Sequence, residues 1–257
     1  MPARSTDPAD YMGLPRPVAA MPKTFRAGEA TGVHAHDRDQ FLYAVTGVMR
    51  ISTAGEMWIV PADRAVYVPA GVEHQTSMRG RVEMRTLYIR PRAHPGLPAT
   101  PQGMEVSPLL RALVLALMEE PLLYDEKGRG GRIAALVLDE IARAERSPLA
   151  MGVPMPRDPR LLRLAKTLME DPSRADTLDE WAEECAASPR TLTRLFQAEM
   201  GLTFTRWRQR VRFHAALEAL ARGEPVARVA EANGYASASA FTAAFRKVMG
   251  APPGRMV

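Results

Sequence analysis

The chain has 257 residues, 46% of them hydrophobic and 25% charged, which is enough apolar material for about two domains and excludes wholesale disorder. The longest uninterrupted apolar run, Ala112 to Met118, falls far short of the roughly 18 residues of a membrane span, and the N-terminus with Pro2, Pro8, Pro15 and Pro17 does not read as a secretory leader, so no membrane partner is expected. One cysteine, Cys185, points to a reducing cytoplasm without disulfides, and a net charge of +5 is too mild to imply nucleic acid by itself.

In chain order, residues 1–20 read as a flexible, proline-rich tail. Residues 21–92 carry short β-rich runs divided by turn residues: Phe41–Val45, Val48–Thr53, Met57–Val60, Ala65–Val68 and Val82–Ile89. Close spacing of short strands favours a small barrel or sandwich. Residues 93–147 follow as a connector, rich in Pro and Gly up to Pro108, and two coupling helices over Leu109–Glu120 and Gly131–Arg146. Because Leu109–Met118 is too apolar to stay exposed, this segment is expected to supply a homodimer contact through Leu113 and Leu117. Residues 148–158, with Pro148, Pro154 and Pro156, read as a linker.

Residues 159–257 read as short helices with clear punctuation. Thr177 and Glu180 form a capping box, Ser188-Pro189 opens a helix that Gly201 stops, and a long helix runs from about Thr203 to Arg222. The same grammar recurs with Pro225, Gly234, Ser237 and Gly250, which gives two helix–turn–helix units. Charge is segregated here: residues 170–187 carry −6, whereas residues 188–214 carry +5 through Arg190, Arg194, Arg206, Arg208, Arg210 and Arg212. In Pro189–Met200 the stripe Leu192, Leu195 and Phe196 faces inward, leaving Arg190, Thr193, Arg194 and Gln197 as candidate base readers in the major groove.

Thr177-Leu-Asp-Glu-Trp-Ala182 with Ser188-Pro-Arg-Thr-Leu-Thr-Arg-Leu-Phe196, and Val229-Ala-Glu-Ala-Asn-Gly-Tyr235 with Ser237-Ala-Ser-Ala-Phe-Thr-Ala-Ala-Phe-Arg246, resemble the AraC/XylS family of bacterial transcriptional regulators. The terminal Gly254-Arg255-Met256-Val257 departs from the family's aromatic-Arg pair. The resemblance implies a double-stranded DNA operator engaged by both units on one face of the duplex. Aligned on that pattern, the second unit presents Ser239 and Thr242 to bases and Arg246 and Lys247 to phosphates.

The β module carries a second pattern, Gly28-x5-His34-x-His36-x3-Gln40-x6-Gly47 followed by Pro69-x-Gly71-x2-His74, which resembles the two motifs of cupins. Gln40 stands where a glutamate is usual, and Met78 where an asparagine is frequent. On a strand, His34 and His36 project to one face, where His74 can join them. Two readings stay open. Three imidazoles and an amide oxygen can hold a divalent metal, or the same residues line a metal-free pocket for a small effector. The missing carboxylate weighs toward the second.

The expected architecture is a multidomain α+β chain: an N-terminal cupin-like β-barrel, a helical coupling segment and a C-terminal all-α double helix–turn–helix. The expected function is a cytoplasmic, dimeric transcriptional regulator, not an enzyme, whose barrel senses an effector and so controls operator binding. The alternatives are a cupin metalloenzyme of dioxygenase or isomerase type tethered to a DNA-binding domain, and a constitutive DNA binder whose barrel only dimerises it. The sequence holds no phosphate loop, Cys-x-x-Cys pair or nucleophile elbow.

Overall fold

The structure is a computed structural model that describes residues 4–62, 64–145, 152–249 and 252–255. Gly250 and the terminal Met256-Val257 lie outside the described residues. The chain divides into two compact units. The first contains the described residues up to Thr53 and from Trp58 to Glu145, and the second contains Ala54–Met57 and the described residues from Gly152 onward.

The first unit opens with a short helix α1 (Ala9–Met12) and strand β1 (Val18–Phe25), followed by β2 (Asp39–Thr53), the part of β3 (Glu56–Val60) from Trp58 onward, β4 (Arg64–Val68), β5 (His74–Ile89), β6 (Gln102–Glu105) and helices α2 (Pro108–Glu119) and α3 (Arg129–Arg143). Its sheet is antiparallel: β5 lies between β1 and β2, β4 pairs with the other edge of β2, and β6 pairs with β4. Both sheet faces are buried. Phe41, Tyr43, Tyr67, Leu87 and Ile89 pack with Leu110, Val114, Val137 and Ile141 of the helices, while their strand neighbours Leu42, Ala44, Val66, Val68 and Tyr88 pack into a second core with Tyr11 and Trp58. Two buried faces explain why the strands read as apolar runs with imperfect alternation.

Several expectations are corrected here. From Arg4 onward the N-terminal segment is not a loose tail: Tyr11 is fully buried, and the Arg38 guanidinium donates to the Met12 carbonyl (3.0 Å), the Arg16 carbonyl (3.0 Å) and the Leu14 carbonyl, fastening this segment to the residue that precedes β2. Arg4 likewise donates to the carbonyls of Leu117 (3.0 Å) and Glu120 at the end of α2. Guanidinium donors satisfy several carbonyls at once, which orders a segment that proline composition alone marks as irregular. The runs at 41–45 and 48–53 form one strand, because a bulge between Ala44 and Val48 lets pairing with β5 continue across Gly47. The connector contains a strand, β6, that its Pro and Gly content conceals.

Helix α2 is not apolar all round in use. Leu110, Val114 and Leu117 are buried against the sheet, Leu113 is half-buried, and Leu109 is 49% exposed. Leu117 therefore belongs to the core, and the dimer contact expected at Leu113 and Leu117 is not available through Leu117.

The second unit contains a two-residue strand β7 (Val153–Pro154) and helices α4 (Pro159–Glu170), α5 (Leu178–Glu184), α6 (Pro189–Met200), α7 (Phe204–Ala221), α8 (Val226–Ala232) and α9 (Ala238–Met249), then a 3-10 turn at Pro253–Arg255. Helices α4, α5, α6 and α9 each start on a side-chain cap given by local sequence. Asp158 accepts from the Arg160 amide (2.9 Å), Thr177 and Glu180 close the reciprocal capping box, Ser188 accepts from the Thr191 amide (3.1 Å), and Ser237 accepts from the Ala240 amide (3.1 Å). Leu164, Leu168, Trp181, Leu192, Phe196 and Trp207 form the core of the first half, and Phe213, Tyr235, Phe241 and Phe245 form that of the second.

The linker reading at 148–158 is also corrected for its described part. Val153 pairs with Met57 and Pro154 with Glu56, Val153 and Met57 join the helical core, and the Trp207 indole donates to the Pro154 carbonyl at 2.8 Å.

Candidate functional site: a DNA-reading helix pair and a histidine cluster

Helix α6 buries Leu192, Phe196 and Met200, which leaves Arg190, Thr193, Arg194 and Gln197 exposed. These four residues line one concave surface together with Ser188. Thr193 is altered as a reader: its hydroxyl donates to the Pro189 carbonyl at 2.9 Å, so its acceptor lone pairs and methyl are what it can present to a base. Helix α9 buries Phe241, Phe245 and Met249, exposes Ser239, Arg246 and Lys247, and half-buries Thr242.

The basic run is smaller than its sequence count. Arg208 donates to the Asp176 carbonyl (2.8 Å), Arg210 to the Gly152 carbonyl (3.0 Å), and Arg212 to the carbonyls of Pro172 (2.8 Å) and Arg174 (3.0 Å). These three arginines tie α7 to the loops beside it, whereas Arg190, Arg194 and Arg206 are exposed. Sequence composition cannot separate a phosphate-binding arginine from one that holds backbone carbonyls, since both tasks use the same planar donors.

In the β unit, His34, His36 and His74 converge, with one ligand atom from each within 4.8 Å of the others. His34 and His74 meet because their backbones form an isolated antiparallel bridge, with N–H to carbonyl distances of 3.0 and 2.9 Å. His36 lies in a loop rather than the strand expected for it, and the Gly71 amide donating to the His36 carbonyl (2.9 Å) holds that loop. The Nδ1 of His34 lies 2.7 Å from the Gly32 carbonyl, and that of His74 lies 2.9 Å from the Val72 carbonyl. A carbonyl only accepts, so both Nδ1 atoms carry a proton, which leaves Nε2 as the nitrogen through which each of these two rings can ligate.

Gln40 faces the same core as the cluster through Tyr88: its Nε2 donates to the Tyr88 hydroxyl at 3.4 Å, and the Tyr88 ring meets His36 edge-on with centroids 5.2 Å apart. Among the described residues, His36 Nε2, His74 Nε2 and Gln40 Oε1 are buried without a hydrogen-bond partner. Burial, with the nearby charges of His34 and His74, lowers the pKa of His36 to about 4. Burial lowers that of His74 too. Both imidazoles are therefore neutral at neutral pH. The site collects acceptors and no cation of its own, and unpaired buried acceptors are costly. The donor set therefore fits a divalent metal, with the two carbonyl-bound Nδ1–H groups fixing ring orientation.

Two residues of this neighbourhood carry no sequence signal. Tyr88 is placed opposite Gln40 by strand register, and Tyr11 covers it at 5.8 Å between ring centroids. Cys185 is buried with its thiol toward the Arg160 carbonyl, and burial raises its pKa, as suits an inert packing thiol. Among the described residues, no helix is long and apolar enough to cross a membrane.

Comparison with known proteins agrees with both halves. Residues 181–257 match the model of a helix-turn-helix domain, and residues 23–90 match that of a cupin domain. The HTH-type transcriptional regulator NimR of Escherichia coli K12 is 32% identical over 225 residues, covering 88% of this chain and 81% of that protein. A putative AraC-like transcription regulator of Streptomyces lividans is 32% identical over 127 residues, covering 48% of this chain and 42% of that one. Among solved structures, ToxT of Vibrio cholerae aligns over 93% of this chain and 97% of its own at 9% identity, with a TM-score of 0.39. The extent of the NimR match, a cupin-like sheet unit and the helix–turn–helix grammar together establish that this chain belongs to the AraC family of transcriptional regulators.

Proposed function

We propose that the protein is a metal-dependent sensor in which His34, His36 and His74, with Gln40 as a weak fourth ligand, hold a divalent cation, and in which occupancy of this site controls how α6 and α9 engage an operator. The observation that carries the sensor assignment is the convergence of three imidazoles at the cluster, with His36 Nε2, His74 Nε2 and Gln40 Oε1 buried and without a hydrogen-bond partner. Regulation by occupancy rather than turnover is supported by the family, whose named members are transcriptional regulators, and the cytoplasm is the compartment that suits a DNA partner. Purified protein is expected to bind about one equivalent of Zn2+ or Co2+, and His74→Ala to lose it. Metal content unchanged in His74→Ala would refute the assignment. If operator affinity is the same with and without metal, the site does not control DNA binding.

On the DNA side, Arg190, Arg194 and Gln197 read bases, with Thr193 supplementing by contact. Ser239 and Thr242 each offer one flexible hydrogen bond, and Arg246 and Lys247 take phosphates. The active species is a homodimer whose contact uses α2 and α3. Leu109 of α2 is 49% exposed and Leu136 of α3 is 40% exposed, and the Ser107 hydroxyl donates to the Glu140 carboxylate (3.2 Å), which joins the start of α2 to α3. Leu136→Glu is expected to give monomers with an unchanged melting temperature, whereas Leu117→Glu should unfold the β unit, since it puts a charge into the core. Sedimentation showing the parent protein monomeric at micromolar concentration would remove the dimer.

A further inference from the structure

We propose that the effector of this regulator is a small carboxylate that binds the metal directly and accepts a hydrogen bond from Tyr88. The inference rests on the metal reading above and concerns the charge that reading leaves behind. As ligands, three imidazoles and a carboxamide bring no negative charge, so a divalent cation among them keeps both of its positive charges. Such a charge in a partly buried site is unfavourable until an anion accompanies it.

The fold does not supply that anion. Asp39 stands next to Gln40, but strand alternation turns it to the helix-covered face, where its carboxylate accepts from the Tyr67 hydroxyl (2.6 Å) and the Ala70 amide (2.8 Å). Asp37 and Glu73, the chain neighbours of His36 and His74, are exposed, and Asp37 acts on His36 only as the weakest of the influences on that ring. The missing charge must therefore come from solution.

Tyr88 identifies what kind of anion fits. Its oxygen accepts from Gln40 at 3.4 Å, which leaves its own hydrogen for another acceptor. Among the described residues no acceptor is paired with that hydrogen. A carboxylate has two oxygens, one to bind the cation and one to accept from Tyr88, so it answers both groups at once. The His34 side of the cluster is the one nearer solvent: His34 is half-buried between exposed Val33 and Ala35, whereas His74 is buried at 2% exposure. The ring of Tyr88, backed by Tyr11, forms an aromatic wall beside His36, which suits the body of a small apolar or aromatic acid.

The test uses the full chain loaded with Co2+, whose visible bands report its ligands. Acetate and benzoate are expected to change those bands saturably in the millimolar range, with chloride at matched ionic strength leaving them unchanged. Gln40→Glu separates the two interactions. It should tighten Co2+ binding about tenfold by supplying a carboxylate of its own, and weaken benzoate about tenfold by removing the charge that attracts it. Tyr88→Phe should leave Co2+ affinity unchanged and weaken benzoate several-fold. If Co2+ binds through the histidines but neither acid alters its spectrum, or if Gln40→Glu leaves benzoate affinity unchanged, the carboxylate is refuted while the metal site stands. If a folded native chain takes up no Co2+, the metal reading fails and this proposal fails with it.

Discussion

Arg194→Ala is expected to relax base preference in the part of the operator contacted by α6 and to weaken specific binding by about 1–3 kcal/mol, the range of a bidentate base contact. Arg194 is exposed on the concave surface that it shares with Arg190 and Gln197, and it is held by none of the carbonyl contacts that occupy Arg208, Arg210 and Arg212. Lys247→Ala should behave differently. An ammonium on phosphate lowers affinity for all sequences alike, and its removal should reduce the salt slope by about one. Helix α9 offers Ala238, Ala240 and Ala243 where α6 offers arginines and a glutamine, and alanine contributes only a methyl contact to thymine. Selection on random DNA should therefore return one sharply specified segment and one whose preference follows DNA shape. A profile in which the segment under α9 is the sharper would show that the two helices have the opposite roles.

Gly47→Ala is expected to destabilise the β unit by about 2–4 kcal/mol, more than Gly71→Ala, for which about 1–2 kcal/mol is expected. Both glycines have positive φ, +83° and +77°, so an L side chain is strained at either position. They differ in surroundings. A Cβ on Gly47 would lie 2.3 Å from the Arg81 carbonyl oxygen and 3.1 Å from Val82 Cγ2, whereas one on Gly71 meets nothing within 4 Å. The contact at Gly47 is with backbone in the opposing β5, at the bulge that keeps β2 and β5 paired, so relief requires moving a strand. Urea or thermal unfolding of the two variants checks this, and equal losses would mean that the bulge yields more easily than its packing implies.

These glycines also show what motif spacing carries. Gly47 and Gly71 are legible in the sequence as members of a cupin-like pattern, together with the three histidines. The close approach of Arg81 to Gly47 depends on β5, which is remote from Gly47 in the chain. The same division holds in the helical unit. Ser188, Pro189 and Gly201 delimit α6 from local chemistry alone, and that helix runs from Pro189 to Met200 as the spacing predicts. The arginines of α7 follow no such rule, because the carbonyls that engage Arg208 and Arg212 come from the loop between α4 and α5.

The sequence by itself determined the helix boundaries of the second unit, the inward stripe of α6 and the histidine spacing, because caps, helical periodicity and short motifs act over a few residues. Only the tertiary structure decided the rest. It buried both faces of the sheet and so blurred the alternation of its strands, and it ordered the N-terminal segment through Arg38 and Arg4. It also set Tyr88 against Gln40 and His36, and drew Met57 and Val153 into the helical core. Each of these depends on groups far apart in sequence, and a donor's partner or a side chain's burial is fixed only when distant segments meet.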